Sequence, residues 1–249
     1  MDKIVVAKRA AAHRAIMDHL KPEFKAVGIG SGSTVVFCVE RIKQLMEEGK
    51  ISKDTVFVPT GYQSKDLILA AQLPLREINQ FSGAGLDIVF DGADEIDEDL
   101  NCIKGGGACQ FQEKLVGLSA KKFVIVADET KVSTKLCEKR AIPVEVMPQA
   151  LNKIIADLKR LGASEVILRD GGHCKAGPVI TDNGNFILDA RFVPLLPDSV
   201  CQLDQQIKLL TGVVETGLFT YAKEAYIGDL DGSFRMLYDQ KNYVTPKYN

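Results

Sequence analysis

The sequence predicts an α/β protein: a doubly wound, mostly parallel, Rossmann-like sheet with a smaller ferredoxin-like α+β domain. Three observations predict it. Short runs that are apolar at every position, such as Ile88-Val89-Phe90 and Val124-Ile125-Val126, alternate with helical spacings through residues 1–142. Strands buried on both faces need helices on both sides of a parallel sheet. After Pro143 the rhythm changes to strand, helix, strand, strand, helix, strand, the order of a ferredoxin-like unit. A last apolar run, Ala225-Tyr226-Ile227, is then free to return to the first sheet. The division that follows is 1–142 plus 219–249 for the Rossmann-like domain and 143–218 for the small domain.

Element by element, residues 4–20 are Ala-rich and helical, and 24–29 read as a buried strand ending in a Gly/Ser loop. Val35, Cys38, Val39, Ile42 and Met46 keep helical spacing until Gly49 stops them. A strand at 55–58, a helix capped by Ser64 and running through Ala71, and a short strand at 75–78 come next. A strand at 86–90, a Gly-rich loop, a helix at 110–121 and a strand at 122–127 complete the first half. The second half gives strands at 144–146, 165–168, 186–190 and 213–216, with helices at 148–161 and 197–210. Thr181-Asp182-Asn183-Gly184-Asn185 marks a hairpin turn.

Composition excludes several classes of function. With 31 basic and 33 acidic residues the formal net charge is −2, so a nucleic-acid-binding footprint is absent and no nucleic-acid partner is expected. No apolar run approaches the roughly 18 residues that cross a bilayer, so no membrane partner is expected either. The six cysteines are scattered without C-x-x-C or zinc-ribbon spacing, and read as free thiols in a reducing compartment. The N-terminal stretch has no signal-peptide core, which makes the cytoplasm the expected location.

Four chemically loaded loops each follow a strand, and in an open parallel sheet they converge at the carboxyl edge. Gly28-Ile29-Gly30-Ser31-Gly32-Ser33-Thr34 offers backbone N–H groups and hydroxyls to an anion at the start of a helix. It satisfies neither the dinucleotide fingerprint nor the P-loop, so a small phosphorylated metabolite fits better than a nucleotide. Asp91-Gly92-Ala93-Asp94-Glu95-Ile96-Asp97 supplies carboxylates, of which Asp91 and Asp94 lie nearest the strand end. Asp97, Glu98 and Asp99 read instead as a solvated surface run. Lys104-Gly105-Gly106-Gly107 places a cation beside three glycines, whose backbone freedom permits close approach to a ligand. Glu113 follows on the next helix. The fourth loop carries Lys131, and residues 59–64 add a rim.

A phosphate cradle, lysines and a few carboxylates, without a metal-ligand set or a nucleophile elbow, suit proton transfer on a phosphorylated sugar. One carboxylate takes a proton from the carbon beside a carbonyl and returns it to the neighbouring carbon, a contribution of about 10²–10⁴-fold. Lysine and glycine N–H groups stabilise the enediolate between the two steps.

At these loops the sequence resembles the ribose-5-phosphate isomerases of type A. Gly30-Ser31-Gly32-Ser33-Thr34, Asp91-Gly92-Ala93-Asp94-Glu95-Ile96 and Lys104-Gly105-Gly106-Gly107-Ala108 match that family's motifs, and three later segments continue the match to about residue 235. The resemblance implies interconversion of D-ribose 5-phosphate and D-ribulose 5-phosphate in the non-oxidative pentose phosphate pathway, without metal or organic cofactor. It implies that Glu113 is the base, that Asp91 and Lys104 handle the sugar oxygens, and that Ser31, Gly32, Ser33, Thr34, Gly92, Ala93, Asp94, Gly105, Gly106, Gly107 and Lys131 bind substrate. It further implies a homodimer or homotetramer. Ser31 stands where many members carry threonine and Gly61 where eukaryotic members often carry serine; the tail from about Tyr238 lies outside the family pattern. Two other readings stay open: a coenzyme A transferase-like enzyme with a glutamate nucleophile, and a non-catalytic sugar-phosphate sensor.

Overall fold

The structure, a computed structural model, describes residues 2–81 and 85–238. In chain order the elements are α1 (Lys3–His19), β1 (Ala26–Ile29), α2 (Val35–Glu47), β2 (Val56–Pro59), α3 (Tyr62–Ala70), β3 (Ile88–Asp91), β4 (Glu95–Ile96) and β5 (Cys102–Ile103). Then come α4 (Gln110–Leu118), β6 (Phe123–Asp128), β7 (Ile142–Val146), α5 (Leu151–Arg160), β8 (Glu165–Leu168) and β9 (Phe186–Arg191). The chain closes with α6 (Pro197–Lys208), β10 (Val213–Thr216), β11 (Leu218–Phe219), β12 (Glu224–Gly228) and β13 (Phe234–Tyr238).

Among the described residues the central sheet runs β13-β12-β6-β3-β1-β2, parallel except for its β13 edge. Its inner strands are apolar on both faces because both are covered. On one face Ala11 and Ile16 of α1, Val35 and Ile42 of α2 and Ile68 of α3 pack on Ile29, Phe57 and Phe90. On the other, Val116 of α4 packs on Val58, Val89 and Ile125. The alanines of α1 allow unusually close approach: Gly228 of β12 lies so near the Ala7 carbonyl that a Cβ would overlap it.

The segment from β7 to β10 forms its own antiparallel sheet in the order β10-β7-β9-β8. That is the expected strand-helix-strand-strand-helix-strand unit, with Ile154, Leu158, Val200 and Leu203 of its two helices over Val144 and Leu188. The turn at 181–185 is closed by the Thr181 N–H to Asn185 O bond of 2.9 Å, with Gly184 at φ +82°.

Several expectations are corrected. The stretch 75–78 forms no strand: Leu75 makes an isolated bridge to Phe57, and a reciprocal Glu77–Gln80 capping box then turns the chain into a short 3-10 helix. Ser64 does not cap α3, which starts earlier; its hydroxyl accepts from Thr60 N–H and donates to Gly61 O. Helix α4 ends at Leu118, where Ser119 donates its hydroxyl to Leu115 O and offers its own carbonyl to Leu86 N–H. The small β11-β5-β4 sheet escaped sequence reading because strands of two residues carry no period. Strand β13 was also unforeseen, although Asp231 and Gly232 (φ +93°) in the preceding turn are hairpin residues. The tail beyond Tyr238 lies outside the described residues.

Candidate active site

The sheet order reverses between β1 and β3, so the loops that follow these two strands open side by side. Gly30 is required there: its N–H donates to Phe90 O at 2.8 Å, and a Cβ would overlap the Asp91 carboxylate. Asp91 Oδ1 accepts from Ser31 N–H at 3.1 Å and Gly92 N–H at 2.7 Å, tying the two loops together. Beyond it, Gly32 at φ +109° donates its N–H to Gln63 Oε1 at 2.8 Å. Ser31 Oγ lies 3.0 Å from Thr60 Oγ1, and Ser33 Oγ accepts from Lys8 Nζ at 2.9 Å. Thr34 heads α2 without a side-chain cap bond among the described residues.

The small three-stranded sheet positions the cation. Lys104 follows β5, its N–H is held by Gly217 O at 2.8 Å, and its ammonium lies 5.4 Å from the Phe219 ring centre. Nζ meets Asp91 Oδ2 at 2.9 Å, Glu113 Oε1 at 3.0 Å and Gly92 O at 2.6 Å. Helical spacing brings Glu113 there: Gln110, Glu113, Lys114 and Gly117 share the buried face of α4.

Exposure is 0% for Asp91, 2% for Lys104 and 3% for Glu113, so three ionisable groups are almost wholly withdrawn from solvent. Burial, reinforced by the Asp91 charge, pushes the Glu113 carboxyl up to about 8, while Lys104 opposes the rise. Asp91 is likewise raised by burial, and the two carboxylates hold the Lys104 ammonium above its ordinary value despite burial. Glu113 Oε2 is buried and has no hydrogen-bond partner among the described residues. The group is a carboxyl whose one oxygen is fixed by a cation and whose other is free.

One cavity of about 340 Å³ opens onto this group. It is lined by Ser31, Gly32, Ser33, Thr34, Gly92, Ala93, Asp94, Lys104, Gly105, Gly106, Gly107, Lys131 and Glu113. Asp91 lies one layer below, wholly buried, and does not reach the cavity surface. Asp94 does, with Oδ2 accepting from Gly106 N–H at 2.7 Å. Gly61, Tyr62 and Gln63 supply the anticipated rim.

Sequence reasoning missed Lys8, Cys109 and Asp182. Lys8 reaches the Ser33 hydroxyl from a helix far upstream, with no local motif to flag it. Cys109 lines the cavity at the head of α4. Asp182 lines it from the antiparallel unit, where Oδ2 accepts from Tyr62 N–H at 3.0 Å. The signal was the density of Thr, Asp and Asn around that turn, more than a turn needs. Two acidic residues depart from expectation. Asp97 is buried rather than solvated, because it accepts from the Asp99 and Asn101 amides and the Asn101 side chain. Glu95 faces away from the cavity and accepts four backbone N–H bonds from residues 137–140.

Among the described residues no cluster of three or more His, Cys, Asp or Glu side chains could hold a metal ion. No helix among them is long and apolar enough to cross a membrane.

Known proteins resemble this chain in sequence and fold. The family described as ribose 5-phosphate isomerase A (phosphoriboisomerase A) matches residues 56–232. A ribose-5-phosphate isomerase of Candida albicans is 52% identical over 235 residues, covering 93% of this chain and 95% of that protein. Among solved structures, the ribose 5-phosphate isomerase A of Methanocaldococcus jannaschii aligns with a TM-score of 0.84 at 36% identity, over 93% of this chain and 98% of that one. A D-ribose-5-phosphate isomerase in complex with phospho-erythronic acid aligns with a TM-score of 0.86 at 36% identity, over 93% and 97%.

Proposed function

This chain belongs to the ribose 5-phosphate isomerase A family and interconverts D-ribose 5-phosphate and D-ribulose 5-phosphate, and on that premise we propose that Glu113 carries the proton between C2 and C1. The observation that carries this reading is the unpartnered, buried Oε2 of Glu113 beside the cavity, with Oε1 anchored on Lys104.

In the forward direction the open-chain aldose loses its C2 proton to Glu113 Oε2, and the electron pair moves through C1 onto the carbonyl oxygen. The resulting enediolate is stabilised by the Lys104 ammonium and the Gly105–Gly107 backbone, donors already in place before charge develops. Glu113 returns the proton to C1, the O2 hydroxyl proton passes to O1, and C2 becomes the carbonyl. A carboxyl raised to about 8 suits this work, since it gains and loses a proton near neutral pH. Asp94 is the carboxylate placed to handle a sugar hydroxyl during ring opening, and Asp91 acts through Lys104 by fixing its ammonium.

The substrate phosphate takes the other end of the cavity, against Ser31 to Thr34, with Lys8 and Lys131 supplying positive charge. No metal or organic cofactor is needed in this scheme, because Lys104 already supplies the cation between the two carboxylates. We place the enzyme in the cytoplasm and in the non-oxidative pentose phosphate pathway, assembled as a homodimer or homotetramer. We also read 143–218 as a folding unit inserted into 1–142 plus 219–249. The deciding experiment is a spectrophotometric assay of pentose phosphate interconversion in EDTA. Wild type should be active and Glu113→Gln at least a hundredfold slower; full activity in that variant would exclude the mechanism.

A further inference from the structure

We propose that Arg169, on the antiparallel unit, is a positioning residue for the isomerisation: its guanidinium turns the Gly106–Gly107 peptide so that the Gly107 N–H faces the reacting sugar. The proposal rests on the isomerase reading and adds to it a residue from outside the four site loops.

Arg169 follows β8, with its main chain fixed on both sides. Its N–H donates to Ile187 O at 2.8 Å, and its carbonyl accepts from Val179 N–H at 2.9 Å. Asp189 of β9 grips the guanidinium as a fork, with Nε to Oδ2 at 2.8 Å and Nη2 to Oδ1 at 2.6 Å. Nη1 then reaches across to the glycine loop and donates to Gly105 O at 2.9 Å and Gly106 O at 3.1 Å. The side chain lines a second cavity, which Glu113 does not line and which shares Asp94 and Gly106 with the catalytic cavity.

The consequence follows from peptide geometry. In a trans peptide the carbonyl and the next N–H point in opposite directions. Holding Gly105 O on Arg169 sends Gly106 N–H the other way, where Asp94 Oδ2 accepts it at 2.7 Å. Holding Gly106 O there sends Gly107 N–H the same way, and it has no acceptor among the described residues. Gly107 lines the catalytic cavity, so its N–H is the donor left for the substrate. The Gly105–Gly106 peptide is also held by Ala108 N–H to Gly105 O at 2.9 Å and by Asp94, whereas Gly106 O is held by Arg169, so the Gly106–Gly107 peptide, with no side chain on either residue, is the one that flips cheaply when the guanidinium is removed. A flipped peptide would aim a carbonyl at the developing enediolate and repel it. Arg169 blocks that flip with an Nη1 held in place by the planar fork that Nε and Nη2 make on Asp189, a grip a lysine ammonium cannot reproduce.

The test compares Arg169→Lys, Arg169→Met and Asp189→Asn with wild type for kcat, KM, the pH profile and binding of phospho-erythronic acid, whose carboxylate mimics the two enediolate oxygens. Arg169→Lys and Arg169→Met should lower kcat ten- to a hundredfold with KM changed less than threefold. The analogue should bind more weakly by a similar factor, and the pH midpoint set by Glu113 should stay in place. Asp189→Asn should give a smaller loss of the same kind, and adding it to Arg169→Lys should cost little more. Wild-type kcat in Arg169→Lys, a change confined to KM, or a loss of kcat matched by an equal loss of folded protein would overturn the proposal. If Arg169 variants fail to fold, Asp189→Asn decides alone: full kcat in that variant rejects the clamp. An inactive wild type would instead reject the isomerase reading itself.

Discussion

Lys104 Nζ sits 3.0 Å from Glu113 Oε1, in a site where both side chains are almost completely buried. The contact fixes one oxygen of the carboxyl and leaves the other buried without a hydrogen-bond partner among the described residues, on a side chain that lines the cavity. Burial outweighs the attraction of the ammonium, so the carboxyl titrates near 8 rather than near 4.5. A base made reluctant to ionise is a stronger base once it has done so, and several consequences can be measured.

The first concerns rate against pH. The base must be ionised to take the C2 proton, so kcat/KM should climb from pH 6.5 and level off above a midpoint near 8. A profile flat between pH 6 and 9 would remove Glu113 from this role.

The same shift has a stability sign. Glu113 is protonated in the folded state up to about 8 but ionises near 4.5 in the unfolded chain, so folding binds a proton between those values. Its contribution to stability is therefore greatest at low pH and declines as pH rises through that window. Glu113→Gln, which stays neutral, should melt higher than wild type at pH 8.5, with the difference shrinking toward pH 5. Turnover in the same variant should fall about 10²–10⁴-fold.

Lys104→Met removes the cation from between Asp91 and Glu113, leaving two buried carboxyls face to face. Breaking a buried ion cluster from one side costs about 3–5 kcal/mol, to be read by chemical denaturation. The midpoint of Glu113 should rise further, since the one attraction lowering it is gone. Unchanged stability would show that the ammonium is not buried among these charges.

Lys139 donates to Thr130 O at 3.0 Å and Val132 O at 2.5 Å, the carbonyls flanking Lys131. Lys139→Met should loosen that turn and raise KM for the pentose phosphate about three- to tenfold, the range of a lost hydrogen bond or two. Its kcat should stay close to wild type. An equal loss in kcat would show that the turn also serves the chemical step.

Much of this was legible in the chain itself. Runs apolar at every position, broken by helical spacings, determined the parallel sheet, because only covering helices can bury such strands. The loops with Gly30, Asp91, Lys104 and Gly106 stood out because glycines and charges at strand ends have few purely structural uses. Tertiary structure decided which charges meet. Only the folded chain buries Asp91 beneath the cavity, turns Glu95 and Asp97 into backbone anchors, and leaves one oxygen of Glu113 free. Only the docking of the antiparallel unit brings Asp182 to the rim and Arg169 to the glycine loop. The physical reason is range. Periodicity and turn chemistry act over a few neighbouring residues, whereas a carboxyl's pKa and a peptide's orientation depend on groups that are distant in sequence and meet only on folding.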